Sequence, residues 1–219
     1  MATKPISPAA SDAVADGRKV TVVSYDQAWP DQFRQIQSEL AELLDEGGVS
    51  YDGIEHIGST SVPGLAAKAN IDIVIVVKSE AEVAKAIEAF DWQFKAPRYT
   101  IWPNGGGIMG RESFKLPLSV LPHRSVYVIN ENDHRGQVNL RNYRDVRETL
   151  IKDDELMNEY GNIKLKLSAE VVQNPLVEYG RKKNDIVARI LKKAGWTDEE
   201  IAETFSFDTR TVSPPSPPY

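Results

Sequence analysis

The sequence predicts an α/β (α+β) chain: a mixed sheet flanked by helices, with a C-terminal helical region. Three observations carry that prediction. Short β-branched runs such as "VTVVSY" (20–25), "IEHIG" (54–58), "IDIVIVV" (71–77) and "SVYVIN" (125–130) are confined to the N-terminal part. Helical apolar spacings alternate with them there. From Arg135 onward the spacing is helical alone. Strands mixed with helices, then helices only, place one sheet early and a helical layer behind it.

Taken in order, "VTVVSY" alternates and is β-branched, so it reads as a strand. Pro30 suits the first turn of a helix, and Phe33, Ile36, Leu40 and Leu43 follow at helical spacing until "DEGG" stops it near residue 47. "IEHIG" is a short strand and "IDIVIVV" a buried one. Ser79 and Glu82 have the spacing of a capping box opening a helix through Phe90, with Val83, Ile87 and Phe90 inward. "YTIW", "SFKLPL" and "SVYVIN" read as strands around the glycine turn "PNGGGIMG". The helical region is broken at Gly161, Pro175 and Gly195, and Thr197 with Glu200 opens a last short helix. Tyr25, Trp29, Trp92 and Trp102 read as core rather than as base-stacking platforms.

The 219 residues, 41% hydrophobic and 26% charged, suit one core with a helical appendix. Residues 1–19 are expected to be a disordered N-terminus, 20–195 the folded domain, and 196–219 a short helix with a Pro-rich disordered tail. No cysteine is present, which excludes disulfides and thiolate metal sites. No apolar run approaches the roughly 20 residues that span a bilayer. "MATKPISPAASDAVADGRK" lacks the apolar block of a secretory signal. A cytoplasmic protein without a membrane partner is expected.

Net charge is −6, against a general nucleic-acid coat. From Arg135 to Lys193, however, 13 Lys/Arg face 9 Asp/Glu. That basic helical half would suit a polyanion, or would be no more than solvated helix faces.

The stretch "EHIGSTSVPGLAAKANIDIVIVV" (55–77) holds most of the candidate chemistry. Gly58 lets a ligand approach the backbone, and Ser59 beside it offers a hydroxyl and an N–H to a phosphate. Ser59 is a candidate acyl-accepting nucleophile, a phosphate cradle, or a turn serine capping its own backbone. Asp72 opens an apolar strand, where an ionised carboxylate needs a cation partner. A metal, Lys68 and a substrate guanidinium are the candidates. His56 is either a general base, since it titrates near neutrality, or an inward residue bonded to a carbonyl. His123 and His134 have no spacing that suggests a metal site. Val74, not a carboxylate, stands two positions after Asp72, where it shares that strand face.

These residues resemble the GrpB family, of the nucleotidyltransferase-fold superfamily, from about Val20 to Ala194. The similarity rests on Glu55, His56, Gly58, Ser59, Thr60, Val62, Pro63, Gly64, Lys68 and Asp72. A second block, "PHRSVYV", carries Arg124 and Tyr127. A third, "LRNYRDVRETL", "YGNIKLKLS" and "YGRKKNDIVARIL", carries Arg141, Asn142, Lys164 and Lys183.

The resemblance implies a nucleotidyltransferase-like sheet in which the Gly-Ser turn holds phosphates and strand carboxylates hold magnesium. Three departures count against that metal chemistry: Val74, the lack of a carboxylate in "SVYVI", and Ala69-Asn70 in place of an apolar pair with proline.

Fungal arginine-containing cyclodipeptide synthases are similar to GrpB proteins and take aminoacyl groups from charged tRNA. The expected function is therefore synthesis of an arginine-containing cyclic dipeptide from arginyl-tRNA and a second charged tRNA, without a metal. Ser59, Asp72 and His56 would be catalytic. Glu55, Gly58, Thr60, Lys68, Arg124, Arg141, Lys164 and Lys183 would bind substrate, with Asp72 or Glu55 reading the arginine side chain. The alternative is a magnesium-dependent nucleotidyltransferase or nucleotide-binding protein, and a non-catalytic module of the same fold is the third reading.

Overall fold

The computed structural model describes residues 20–91, 98–169 and 182–209. The expectations for residues 1–19, Trp92, Pro175 and the tail from residue 210 lie outside the described residues.

Five strands form one mixed sheet in the order β1-β2-β5-β4-β3. β1 (Gly53–Ile57) pairs antiparallel with β2 (Ile71–Val77), and β2 pairs parallel with β5 (Arg124–Asn130). β4 (Glu112–Lys115) and β3 (Thr100–Trp102) continue antiparallel. The helices are α1 (Trp29–Glu46), α2 (Glu80–Asp91), the short α3 (Pro103–Gly107), α4 (His134–Lys152), α5 (Asp154–Ala169), α6 (Asn184–Lys193) and α7 (Asp198–Ser206). The sheet flanked by helices, with a helical region behind, is the predicted fold class.

The central strands are buried because they are almost wholly aliphatic. Ile71, Ile73, Ile75 and Val77 pack with Ile36, Leu40 and Leu44 of α1 and with Val83, Ala86 and Phe90 of α2. The intervening Val74 and Val76 pack with Ile57, Ile129 and Leu140 of α4 on the other face. Each such side chain contributes about 1.5–3 kcal/mol on burial. Behind α4, Leu156 and Tyr160 of α5 meet Ile186 and Ile190 of α6. α7 closes this layer through Ile201 and Trp196, and Met109 donates its N–H to Phe207 O at 3.0 Å.

Three local readings differ from expectation, the first being that α5 runs unbroken through Gly161. Residues 20–25 are not a strand: only Val23 bridges, to Ala67, through reciprocal bonds of 2.8 and 2.9 Å. Ala67 belongs to the loop before β2, so the segment meets no continuous edge. At α2 the capping box is half made. Ser79 Oγ accepts the Glu82 N–H at 3.3 Å, but the Glu82 carboxylate accepts from Ser50 N at 2.6 Å and from Lys85. The box at Thr197 and Glu200 is complete. No helix among the described residues is long and apolar enough to cross a membrane.

Candidate active site

Register sets the site. Ile57, the last residue of β1, pairs with Asp72, the second of β2. The chain leaving β1 therefore turns directly beside the Asp72 carboxylate. Gly58 makes that turn at φ 70° and ψ −171°, and a Cβ there would lie 2.7 Å from Asp72 Oδ2. Such backbone angles are almost restricted to glycine. A 3₁₀ turn, Ser59–Ser61, follows, fixed by Ser61 Oγ donating to Gly58 O at 2.6 Å.

Asp72 is held by neutral donors. Asn70 Nδ2 donates to its Oδ1 at 2.9 Å, and Tyr127 Oη lies 3.4 Å away. The same Asn70 amide reaches Ser125 Oγ at 3.3 Å. Burial raises the Asp72 pKa, while Lys68, Lys115, Arg111 and Lys183 oppose the rise. Arg111 lies 3.9 Å above the Tyr127 ring, donates to Tyr143 Oη, and is anchored by Nε to Gly105 O at 2.9 Å. The one carboxylate thus lies within electrostatic reach of four cations.

A fifth cation lies deeper. Lys164 of α5 is 1% exposed, and its Nζ has no hydrogen-bond partner among the described residues. The amine is 4.3 Å from the centre of the Tyr160 ring, and burial raises the Tyr160 pKa to about 12 while Ser59 opposes the rise. Burial, with the charges of Lys183 and Lys68, lowers the Lys164 pKa to about 6. Ser59, Lys68, Asp72, Lys164 and Lys183 are therefore gathered around the Gly58 turn.

The other expected residues lie elsewhere. His56 is on the opposite face of the sheet, since it pairs with Ile73 and stacks on Phe33 of α1 at 4.8 Å. Its Nε2 lies 3.0 Å from Thr60 Oγ1, and that buried hydroxyl donates to Asn70 O at 3.2 Å. The ring is inward as in the second expectation, but its partner is a hydroxyl rather than a carbonyl. Burial, then Arg147, holds the His56 pKa at about 4. Glu55 forms a two-pronged pair with Arg144 at the sheet edge. It lines a cavity of about 310 Å³ with His56, Phe33, Arg147 and Glu148.

Arg124 is buried on the α1 face and pairs with Glu39 at 2.6 Å, because it shares the register of Ile71 rather than of Asp72. Arg141 lies 4.2 Å over the Trp196 ring and pairs with Glu200, tying α4 to α7. Neither arginine joins the Asp72 cluster. Much of the remaining basic excess is likewise taken up in pairs on the helix surfaces, such as Arg189 with Glu159 and Lys193 with Asp153.

Arg111, Lys115, Tyr143, Tyr160 and Ser125 were not singled out from the sequence, and Asn70 stood out only as a departure from the family pattern. Lys115 and Ser125 were recoverable from strand pairing alone, since Asp72, Ser125 and Lys115 form one cross-strand row. Arg111 was not, because its position depends on the wrapped glycine loop.

A magnesium pair, implied by the nucleotidyltransferase resemblance, needs several oxygen ligands. Asp72 stands alone among cations, Val74 follows on its face, and no group of three or more acidic or histidine side chains among the described residues is placed to hold an ion. This donor set does not fit a two-metal site.

The profile of the family described as "GrpB protein" matches residues 19–193. The chain is 32% identical to UPF0157 protein YqkA of Bacillus subtilis over 154 residues, which is 70% of this chain and 41% of that protein. It is 27% identical to UPF0157 protein BH1888 of Halalkalibacterium halodurans, over 81% of this chain and 84% of that one. The crystal structure of conserved protein GrpB from Enterococcus faecalis superposes with TM-score 0.64 at 24% identity, covering 84% of this chain and 99% of that one. It shares the fold.

Proposed function

The chain belongs to the GrpB family, and on that premise we propose that it is a group-transferring enzyme whose Asp72 site holds a phosphate-bearing substrate. The charge arrangement carries this reading. Lys68, Lys115, Arg111 and Lys183 all act electrostatically on the Asp72 carboxylate, and Lys68 and Lys183 act on Lys164 as well. A phosphate entering beside them would meet guanidinium and ammonium groups, its usual partners. The Gly58-Ser59 turn supplies close backbone approach beside them. A nucleotide is the simplest such substrate, bound for nucleotidyl transfer or for binding alone.

A narrower reading is favoured by the donor set: aminoacyl-tRNA-dependent formation of an arginine-containing cyclic dipeptide. An aminoacyl ester is already activated, so positioning and proton transfer suffice without a metal. The same cations would then hold phosphodiesters of the acceptor end, and Asp72 would pair with the substrate guanidinium.

The test offers purified protein ATP with magnesium in one arm. In the other it receives arginyl-tRNA with a second charged tRNA, both freed of ATP and magnesium. Nucleotidyl transfer or saturable ATP binding supports the first reading, and an arginine-containing diketopiperazine establishes the second. Binding of neither ligand sinks both.

A further inference from the structure

We propose that Lys164 makes the site a proton-coupled anion subsite: a phosphate group entering beside Lys164, Lys68 and Lys183 binds together with one proton, which the Lys164 amine takes from solvent. This rests on the phosphate-bearing-substrate reading and adds to it a specific residue and a linkage.

The argument is one of burial and missing partners. A charged ammonium sealed from water without a hydrogen bond or counter-ion is strongly disfavoured. Lys164 is 1% exposed and its Nζ lacks a hydrogen-bond partner among the described residues. The described groups around it supply no hydrogen-bonded negative charge. Tyr160, on its own helix, presents a ring face at 4.3 Å, and its hydroxyl is held protonated by burial, which raises its pKa to about 12. Lys183, at the N-cap of α6, and Lys68, in the loop before β2, add positive charge. Asp72, on β2, is engaged by Asn70 and faced by Lys115 and Arg111.

The free site therefore favours the neutral amine, with a pKa of about 6. An arriving phosphate reverses this preference, because it brings both the missing acceptor oxygens and the missing charge. The amine then becomes an ammonium, R–NH₂ plus H⁺ giving R–NH₃⁺, and donates to the phosphate. No other bond changes.

A titration of affinity against pH reads the linkage, with ATP and a 3′-CCA RNA oligonucleotide as separate probes. Above the free pKa, affinity should weaken by about tenfold per pH unit, because each binding event must first protonate Lys164. Calorimetry at about pH 8, well above the second phosphate pKa of about 6, should show close to one proton taken up per ligand bound. In Lys164→Met both the slope and the uptake disappear.

Because that variant buries no amine, its denaturation midpoint without ligand should equal or exceed that of the natural protein, which separates lost linkage from misfolding. A probe that binds with pH-independent affinity, or a slope that persists in Lys164→Met, overturns the coupling while leaving the phosphate reading in place. If neither probe binds between about pH 6 and pH 8, the phosphate reading itself fails, and the coupling with it. The two probes distinguish a nucleotide from an RNA end as the source of the phosphate.

Discussion

The two faces of strands β2 and β5 solve the same electrostatic problem in opposite ways. On the α1 face, Arg124 is buried but meets Glu39 at 2.6 Å, so its charge is answered within the protein. On the α4 face, the Lys164 Nζ is buried without a hydrogen-bond partner among the described residues, and four further cations act on the one Asp72 carboxylate. A paired cation between helix and sheet is architecture. A buried amine without a partner is unfavourable in itself and would become favourable with an anion beside it. On the proposed reading, the contrast separates residues that hold the fold from residues that would hold a ligand.

The largest expected effect tests that contrast directly. Lys68→Ala with Lys183→Ala should weaken binding of a phosphate ligand at least a hundredfold, since each lost charge-assisted bond is worth about 1.5–3 kcal/mol. The unfolding midpoint should hardly move. Equilibrium binding and denaturant unfolding on one preparation check both halves, and unchanged affinity would assign these lysines to ordinary surface. Next comes Gly58→Ala. It forces an L-residue to φ 70° and sets a methyl 2.7 Å from Asp72 Oδ2. The backbone strain costs about 1–3 kcal/mol, and the displaced carboxylate should reduce ligand affinity as well. A variant equally stable and equally active would show that the turn is not under constraint.

On the opposite face the pattern should invert. Glu39→Gln leaves a buried guanidinium without its counter-charge. Glu39 keeps some water, its side chain being 46% exposed, so about 1–2 kcal/mol of stability should be lost, less than for a fully buried pair. Arg124→Met should cost less than Glu39→Gln, because it removes the buried charge itself. Neither change should alter ligand affinity, and a binding defect in either would erase the distinction between the faces.

Much of this was legible in the sequence, but not its sidedness. "IDIVIVV" could only be a buried strand, and the observed β2 spans those seven residues. The meeting of Gly58 with Asp72 follows once the two strands pair. Sidedness fails at single residues: His56 and Arg124 each stand one position from a residue of the α4 face, and a strand sends neighbours to opposite faces. Their types promised chemistry, yet their register assigned them to the α1 face.

Lys164 shows the converse. Leu156, Tyr160 and Lys164 recur every four residues and so share the buried row of α5, whereas the adjacent Leu165 is 43% exposed. The spacing marked Lys164 as inward. Arg141 carried no comparable signal, because its partner Glu200 is 59 residues away in sequence.

The smallest expected effect concerns His56. It is neutral in the folded protein until the pH falls to about 4, because burial and then Arg147 oppose its charge. In the unfolded chain it titrates near its ordinary value of about 6.5. Between these values the unfolded state binds more protons than the folded one, so stability rises with pH across that window. The contribution is complete above about 6.5 and is lost progressively as the pH falls towards about 4. Because the ring keeps partial contact with water, the loss should be on the order of 1 kcal/mol. His56→Phe preserves the stack on Phe33 but cannot titrate, so unfolding measured from about pH 4 to pH 7 should lose this part of the slope. It should give up only the contact with Thr60 Oγ1, now 3.0 Å from the imidazole. If His56 acts in turnover instead, His56→Phe should abolish activity at every pH while the protein stays folded, and the chemistry would then have to reach across the sheet.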